Sequence, residues 1–160
     1  MGRKVLFLPI RGTKYHVAAS VTAGGEEAIT YPTFPKGLGL TQVRLIADAL
    51  LQAATWAGKN GGKGKSKGKN TGYFPTDDPQ IAREKFVFPT DRSFVLIARR
   101  ASLGMGIFTN PWVALVEYDD DNIAVPERYI TVNSPAASQV ALSLQGIAKD
   151  CQPWKRGEWA

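Results

Sequence analysis

Apolar and β-branched residues run through Val5 to Ile10 and again through Tyr15 to Thr22, with the polar Arg11-Gly12-Thr13-Lys14 between them, which predicts a hairpin. A third short strand is expected over Ala28 to Tyr31 after Gly24-Gly25-Glu26-Glu27, where paired glycines admit positive φ cheaply. Pro32, Pro35, Gly37 and Gly39 are expected to interrupt regular structure before the first helix. From Thr41 to Trp56 the pattern changes period: Val43, Ile46, Ala47, Leu50, Leu51 and Ala54 follow helical spacing. Thr41 reads as the N-cap, Leu40 and Leu45 as a hydrophobic staple, and Gly58 as the residue that ends the helix.

Gly58 to Gly72 is Gly, Lys, Asn and Ser with almost no apolar content, so burial cannot offset its ordering entropy and a flexible loop over 58–72 is expected. Strand-like runs follow at Phe86 to Pro89, Phe94 to Arg100, Trp112 to Tyr118 and Tyr129 to Val132, separated by turn residues, and together they predict an antiparallel meander. Ser134-Pro135 places a cap residue before proline at the start of a second helix, whose stripe is Val140, Leu144, Ile147, Ala148 and Cys151 and whose stop is Pro153.

The reading is therefore α+β: antiparallel sheet and two amphipathic helices, in one domain over 1–160, a length that suits a single core. An internal echo refines it. Ala28-Ile29-Thr30-Tyr31-Pro32 leads to Gln42-Val43 and Trp56, and Tyr129-Ile130-Thr131-Val132 leads to Gln139-Val140 and Trp154. The echo implies two sheet-plus-helix units sharing one core. In order of elements alone, this is similar to the sheet-then-helix repeats of Whirly-type and PUR-type single-strand binders.

Charge changes the picture by its placement. The chain carries 20 Lys and Arg against 14 Asp and Glu, a formal +6, but Lys59, Lys63, Lys65, Lys67 and Lys69 stand together without an acid; setting those five aside leaves 15 bases against 14 acids. The basic footprint is thus a segment and not a face. The lone Cys151 forms no intramolecular disulfide, which points to an intracellular setting. No run approaches the roughly 20 apolar residues of a membrane span, and Val5 to Ile10 is too short for a signal core, so no membrane attachment is expected.

Candidate chemistry is sparse. Gly64-Lys65-Ser66 suggests a phosphate loop, yet the glycine that motif needs at position 59 is Lys59, and the segment follows a helix instead of a strand. Asp119-Asp120-Asp121-Asn122 lacks the alternation and distal Glu of a calcium loop and reads as a hairpin turn. His16 and Cys151 have no sequence signal that joins them, so no catalytic residue, metal or cofactor is expected.

What remains is binding. Glycine between lysines lets Lys59, Lys63, Lys65, Lys67 and Lys69 turn toward one phosphate backbone, and stacking needs exposed rings. The ring candidates are Tyr15, Tyr31, Phe34, Tyr73, Phe74, Trp112, Tyr118 and Tyr129, with Tyr73 and Phe74 favoured beside the Lys run and Arg99-Arg100 extending the surface. The expected function is non-enzymatic binding of nucleic acid, single-stranded or by its backbone, in a homo-oligomer. The alternative is a structural assembly protein of a virus or phage particle. Replacing Lys63, Lys65, Lys67 and Lys69 by Ala is expected to flatten the salt dependence of single-strand affinity by about 0.7 in log–log slope for each phosphate no longer neutralised, measured by titration at several salt concentrations; an unchanged slope would remove these lysines from the interface.

Overall fold

The computed structural model describes residues 2–61, 70–74, 81–87, 94–100, 112–119, 121 and 123–150. Their order is β1 (Lys4–Pro9), β2 (His16–Val21), β3 (Glu27–Pro32), β4 (Phe34–Gly39), α1 (Leu40–Asn60), β5 (Asn70–Phe74), β6 (Ile81–Val87), β7 (Phe94–Arg100), β8 (Trp112–Tyr118), β9 (Tyr129–Val132) and α2 (Ser134–Asp150). The strands form two antiparallel sheets, β1-β2-β3-β9 and β4-β8-β7-β6-β5, and with the two helices make an α+β fold.

The sheet orders show an exchange. Each half of the chain lays down a meander, β1-β2-β3 and then β6-β7-β8, and sends its next strand to the other half's sheet: β4 pairs with β8, and β9 pairs with β3. The expected meander from β6 to β9 is therefore corrected at its last strand. The sequence echo is corrected too. Its two segments, β3 and β9, are not equivalents but hydrogen-bonded neighbours, with Ile29 opposite Val132 and Tyr31 opposite Ile130. The strand that precedes α1 as β9 precedes α2 is β4.

β4 runs through the residues expected to break structure. It is an edge strand, where Pro35 has no ladder bond to lose, and its register against β8 shifts between Phe34 and Leu38. Gly37 sits in that bulge at φ +86°, and a Cβ there would lie 2.9 Å from the Trp112 ring, so glycine is required twice over. β5 begins at Asn70, three residues inside the expected loop, and ends at Phe74, and β6 begins at Ile81 instead of Phe86.

Helix ends differ for local reasons. α1 starts at Leu40 with Gly39 as N-cap, which puts Thr41 inside the helix. It also continues through Gly58 to Asn60. The Asn60 side chain donates to the Trp56 carbonyl at 2.8 Å and accepts from Lys4 at 3.3 Å, tying the last turn to β1 and offsetting the cost of about 1 kcal/mol for a helical glycine. At α2 the cap is Asn133, one residue earlier than Ser134: its Oδ1 accepts from the Ala136 N–H at 3.1 Å. Of the loop expected at 58–72, residues 62–69 lie outside the described residues, as do Pro89, Cys151 and Pro153.

One buried cluster receives side chains from both halves. Val17, Ile29 and Tyr31 of the first sheet meet Val43, Ile46 and Leu50 of α1, Val140 and Leu144 of α2, and Val113 and Leu115 of β8. The two helices pack on each other, and α1 crosses β2 and β3. Leu50 and Leu144 are both fully buried, so Leu50→Ala and Leu144→Ala are each expected to cost about 2–5 kcal/mol. The exposed Lys149→Ala should stay within about 0.5 kcal/mol. Each variant is expected to melt in a single calorimetric transition; two transitions, each sensitive to one leucine, would divide the chain into independent units.

Candidate nucleic-acid interface

Alternation along the first sheet separates a buried face from an outward one. In β2, Val17, Ala19 and Val21 are buried while His16, Ala18 and Ser20 are partly exposed. The register carries this across the sheet. Val5 stands opposite Ser20, Phe7 opposite Ala18, Pro9 opposite His16, Ala18 opposite Thr30, and Thr30 opposite Thr131. None of these outward residues carries a fixed charge, and the hydroxyls of Thr30 and Thr131 bond to each other at 3.0 Å.

Three rings stand together on this face. The His16 imidazole stacks on Tyr129 with centroids 4.5 Å apart and an interplanar angle of 25°, and Phe7 approaches its other side at 4.7 Å and 30°. Tyr129 is locked to His16 twice over, since its hydroxyl accepts from the His16 backbone N–H at 3.2 Å and lies 3.1 Å from Nδ1. β3 lies between their strands, and Pro32 faces Tyr129 in the register. Phe7 remains 59% exposed and Tyr129 37%, so the ends of the row are open while both faces of His16 are occupied.

Cations border the row at both ends of β1. At the hairpin end are the exposed Arg11 and Lys14, the latter paired with Glu127 at 2.7 Å. At the other end are Arg3 and Lys4, with Lys59 in the last turn of α1, all exposed. The hairpin is anchored from beneath: the largely buried Tyr15 hydroxyl donates to Glu127 at 2.5 Å. Burial first, and then Glu127, raise the Tyr15 pKa; the hydrogen bonds from Lys14 first and Tyr15 second lower that of Glu127.

The residues favoured from sequence divide. Lys59 borders the first sheet, as above. Tyr73 and Phe74 close β5 and Arg99 and Arg100 close β7, which brings them to one end of the second sheet with β6 between. Lys63, Lys65, Lys67 and Lys69 lie outside the described residues. Of the other ring candidates, Tyr15, Tyr31 and Phe34 are buried and belong to the core, and only Tyr129 joins the exposed row. Phe7 and His16 are site residues that the sequence reading misses. Alternation in β2 separates His16 from the buried Val17, but β1 is apolar nearly throughout, so only its pairing with β2 shows that Phe7 shares the outward face.

Asp119 does not turn a hairpin, because β8 and β9 belong to different sheets. Its carboxylate accepts from the N–H groups of Asp121 and Ile123, each at 2.9 Å, and so organises the connection itself. Among the described residues no cluster of His, Cys, Asp and Glu is placed to hold a metal ion, and no helix is long and apolar enough to cross a membrane. Comparison with protein-family models, with curated proteins and with solved structures finds no match to this chain.

The lowered Glu127 pKa fixes a sign. A carboxylate with a depressed folded pKa adds stability above its ordinary value, and that stability is lost as pH falls through the folded value. Glu127→Gln is therefore expected to be less stable than the wild type at neutral pH by under about 1 kcal/mol, because the pair is solvent-exposed. The gap should close on acidification, as read from denaturant midpoints at each pH; a gap that is constant with pH would exclude the ionic contribution.

Proposed function

We propose that this chain binds single-stranded nucleic acid without catalysis, with unpaired bases lying on the outward face of its first sheet. The observation that carries the reading is the exposed row Phe7-His16-Tyr129 on a face without fixed charge, with Arg3, Lys4 and Lys59 at one end of β1 and Arg11 and Lys14 at the other. Bases present apolar ring faces, which suit the uncharged middle. Phosphates suit the cationic ends. A base joins the row where a ring face is open, on Phe7 or Tyr129, and a duplex cannot do this because its base faces are already stacked.

The lysine segment adds attraction for phosphate that reads no sequence. Tyr73, Phe74, Arg99 and Arg100 would form a second contact at the end of the other sheet. The exposed Val5 and Phe7 also favour the rival reading, a subunit of a viral or phage particle, since apolar surface on a strand suits self-assembly. Light scattering of nuclease-treated protein separates the two, because a large assembly free of nucleic acid belongs only to the rival.

Anisotropy titration of a labelled single strand tests the platform. Loss of one stacked base is worth about 1–3 kcal/mol, so Phe7→Ala and Tyr129→Ala should each weaken binding by roughly 5- to 150-fold. Tyr129→Phe should retain most of the affinity and duplex should bind far more weakly. Wild-type affinity in both alanine variants, or no preference for the single strand, would reject this face as the binding surface.

A further inference from the structure

We propose that the free edge of β1 is the seat of a second copy of this chain, paired antiparallel about a two-fold axis at Leu6, so that two four-stranded sheets run on as one. The Ile10 N–H donates to the Tyr15 carbonyl at 3.0 Å. Hydrogen-bonded pairs alternate along an antiparallel ladder, so Leu8, Leu6 and Lys4 turn their backbone groups to β2, while Val5, Phe7 and Pro9 turn theirs outward. Among the described residues β1 pairs with β2 alone.

The usual guards against edge pairing are weak here. β4, at the edge of the other sheet, has Pro35 and a bulge, and β9 is only four residues long. β1 has six residues in unbroken register, with a proline only at its end, and Val5 and Phe7 are each 59% exposed. An axis at Leu6 sets Val5 opposite the partner's Phe7, and Phe7 opposite the partner's Val5, each pair exchanging two N–H···O bonds. It is the one register that matches both exposed apolar residues with each other, as an aromatic and a β-branched pair. An axis one residue nearer Pro9 would set Val5 against a residue with no N–H to give.

The underside fits the same symmetry. A cleft of about 520 Å³ opens between Leu6 and α1, lined by Leu51 and Trp56, with Asp48 toward one end and Lys59 toward the other. A two-fold axis reverses the helix, so the Asp48 end of one copy lies toward the partner's Lys59 and the two clefts merge beneath the seam. Charge complementarity and a shared apolar filling thus accompany the backbone pairing. The pairing does not depend on nucleic-acid binding; with both, two rows of Phe7, His16 and Tyr129 lie on one continuous surface, with Phe7 flanked by His16 and the partner's Val5 and Tyr129 at the open end of each row.

Sedimentation velocity on nuclease-treated protein, free of nucleic acid, is expected to show a dimer at micromolar concentration. Val5→Pro removes an outward N–H while leaving the β1–β2 bonds intact, and it should sediment as a folded monomer with an unchanged circular dichroism spectrum. Independently, Leu6→Cys in a Cys151→Ser background should give a disulfide-linked dimer on mild oxidation, because facing residues of a non-hydrogen-bonded pair lie about 4.5 Å apart at Cα. Thr131→Cys, away from the seam, should not. A wild-type monomer overturns the proposal, as does a dimer in which Leu6→Cys fails to cross-link, and the cross-link decides should Val5→Pro fail to fold.

Discussion

Everything in this fold passes through one crossing. β3 leaves the first sheet at Thr33 to become β4 in the second, and the chain returns from β8 through Arg128 to enter the first sheet as β9. The two crossings are bonded to each other: the Thr33 N–H donates to the Arg128 carbonyl at 2.8 Å, and the Thr33 hydroxyl both donates to that carbonyl and accepts the Arg128 N–H, each at 3.0 Å. Thr33 is fully buried, so these bonds satisfy backbone groups that could not reach water. The Arg128 guanidinium then grips Glu117 on β8 with two charge-assisted bonds. Glu117 is 1% exposed, and a carboxylate so buried is costly without its partner, which makes the arginine a requirement of the crossing.

The crossing also assembles the proposed platform. Tyr129 follows Arg128 directly, so the interaction that secures β9 at the edge of the first sheet delivers the phenol to His16. Phe7 and His16 come from the first hairpin and Tyr129 from the far half of the chain, a separation of 113 residues between His16 and Tyr129. Neither half holds the complete row. Tyr15 and Glu127 fasten the same hairpin to the same connection, at a separation of 112 residues. Ring geometry on the surface is thereby coupled to tertiary structure beneath it, which favours a rigid surface over one that orders on binding.

Local periodicity makes much of this legible. The first hairpin, β7, β8, β9 and both helices follow from alternation or from helical spacing, because burial on one face imposes those periods wherever the element lies. β4 and β5 are hidden for different reasons. Pro35 and Gly37 are breakers in an isolated segment and tolerable only at a bulged edge, while β5 opens on Asn70-Thr71-Gly72, the polar end of the Gly- and Lys-rich segment, and leaves only Tyr73 and Phe74 as strand-like residues. The exchange of β4 and β9 leaves no local trace, since strand order depends on partners far apart in sequence. The site behaves likewise: Tyr129 is among the ring candidates, but Phe7 reads as one more apolar residue in a strand, and only the sheet to which the strand belongs decides which face is covered.

The separation of charge from rings bears on how affinity and selectivity divide. Five of the cations cluster between Lys59 and Lys69, whereas the outward face of the first sheet carries none. Phosphate attraction is long-ranged, weakens with salt, and is the same for paired and unpaired strands. Stacking acts only at contact, depends little on salt, and requires an open base face. A surface with cations among its rings would couple the two, so that raising affinity would also raise duplex binding. Under the proposed function the lysine segment would set how strongly a polyanion is drawn in, while Phe7 and Tyr129 would set which form is retained, and each could change in sequence without disturbing the other. The first sheet can accommodate this division because its buried face and the crossing at Thr33 and Arg128 hold it together from the other side, so that changes among the outward rings do not reach the core.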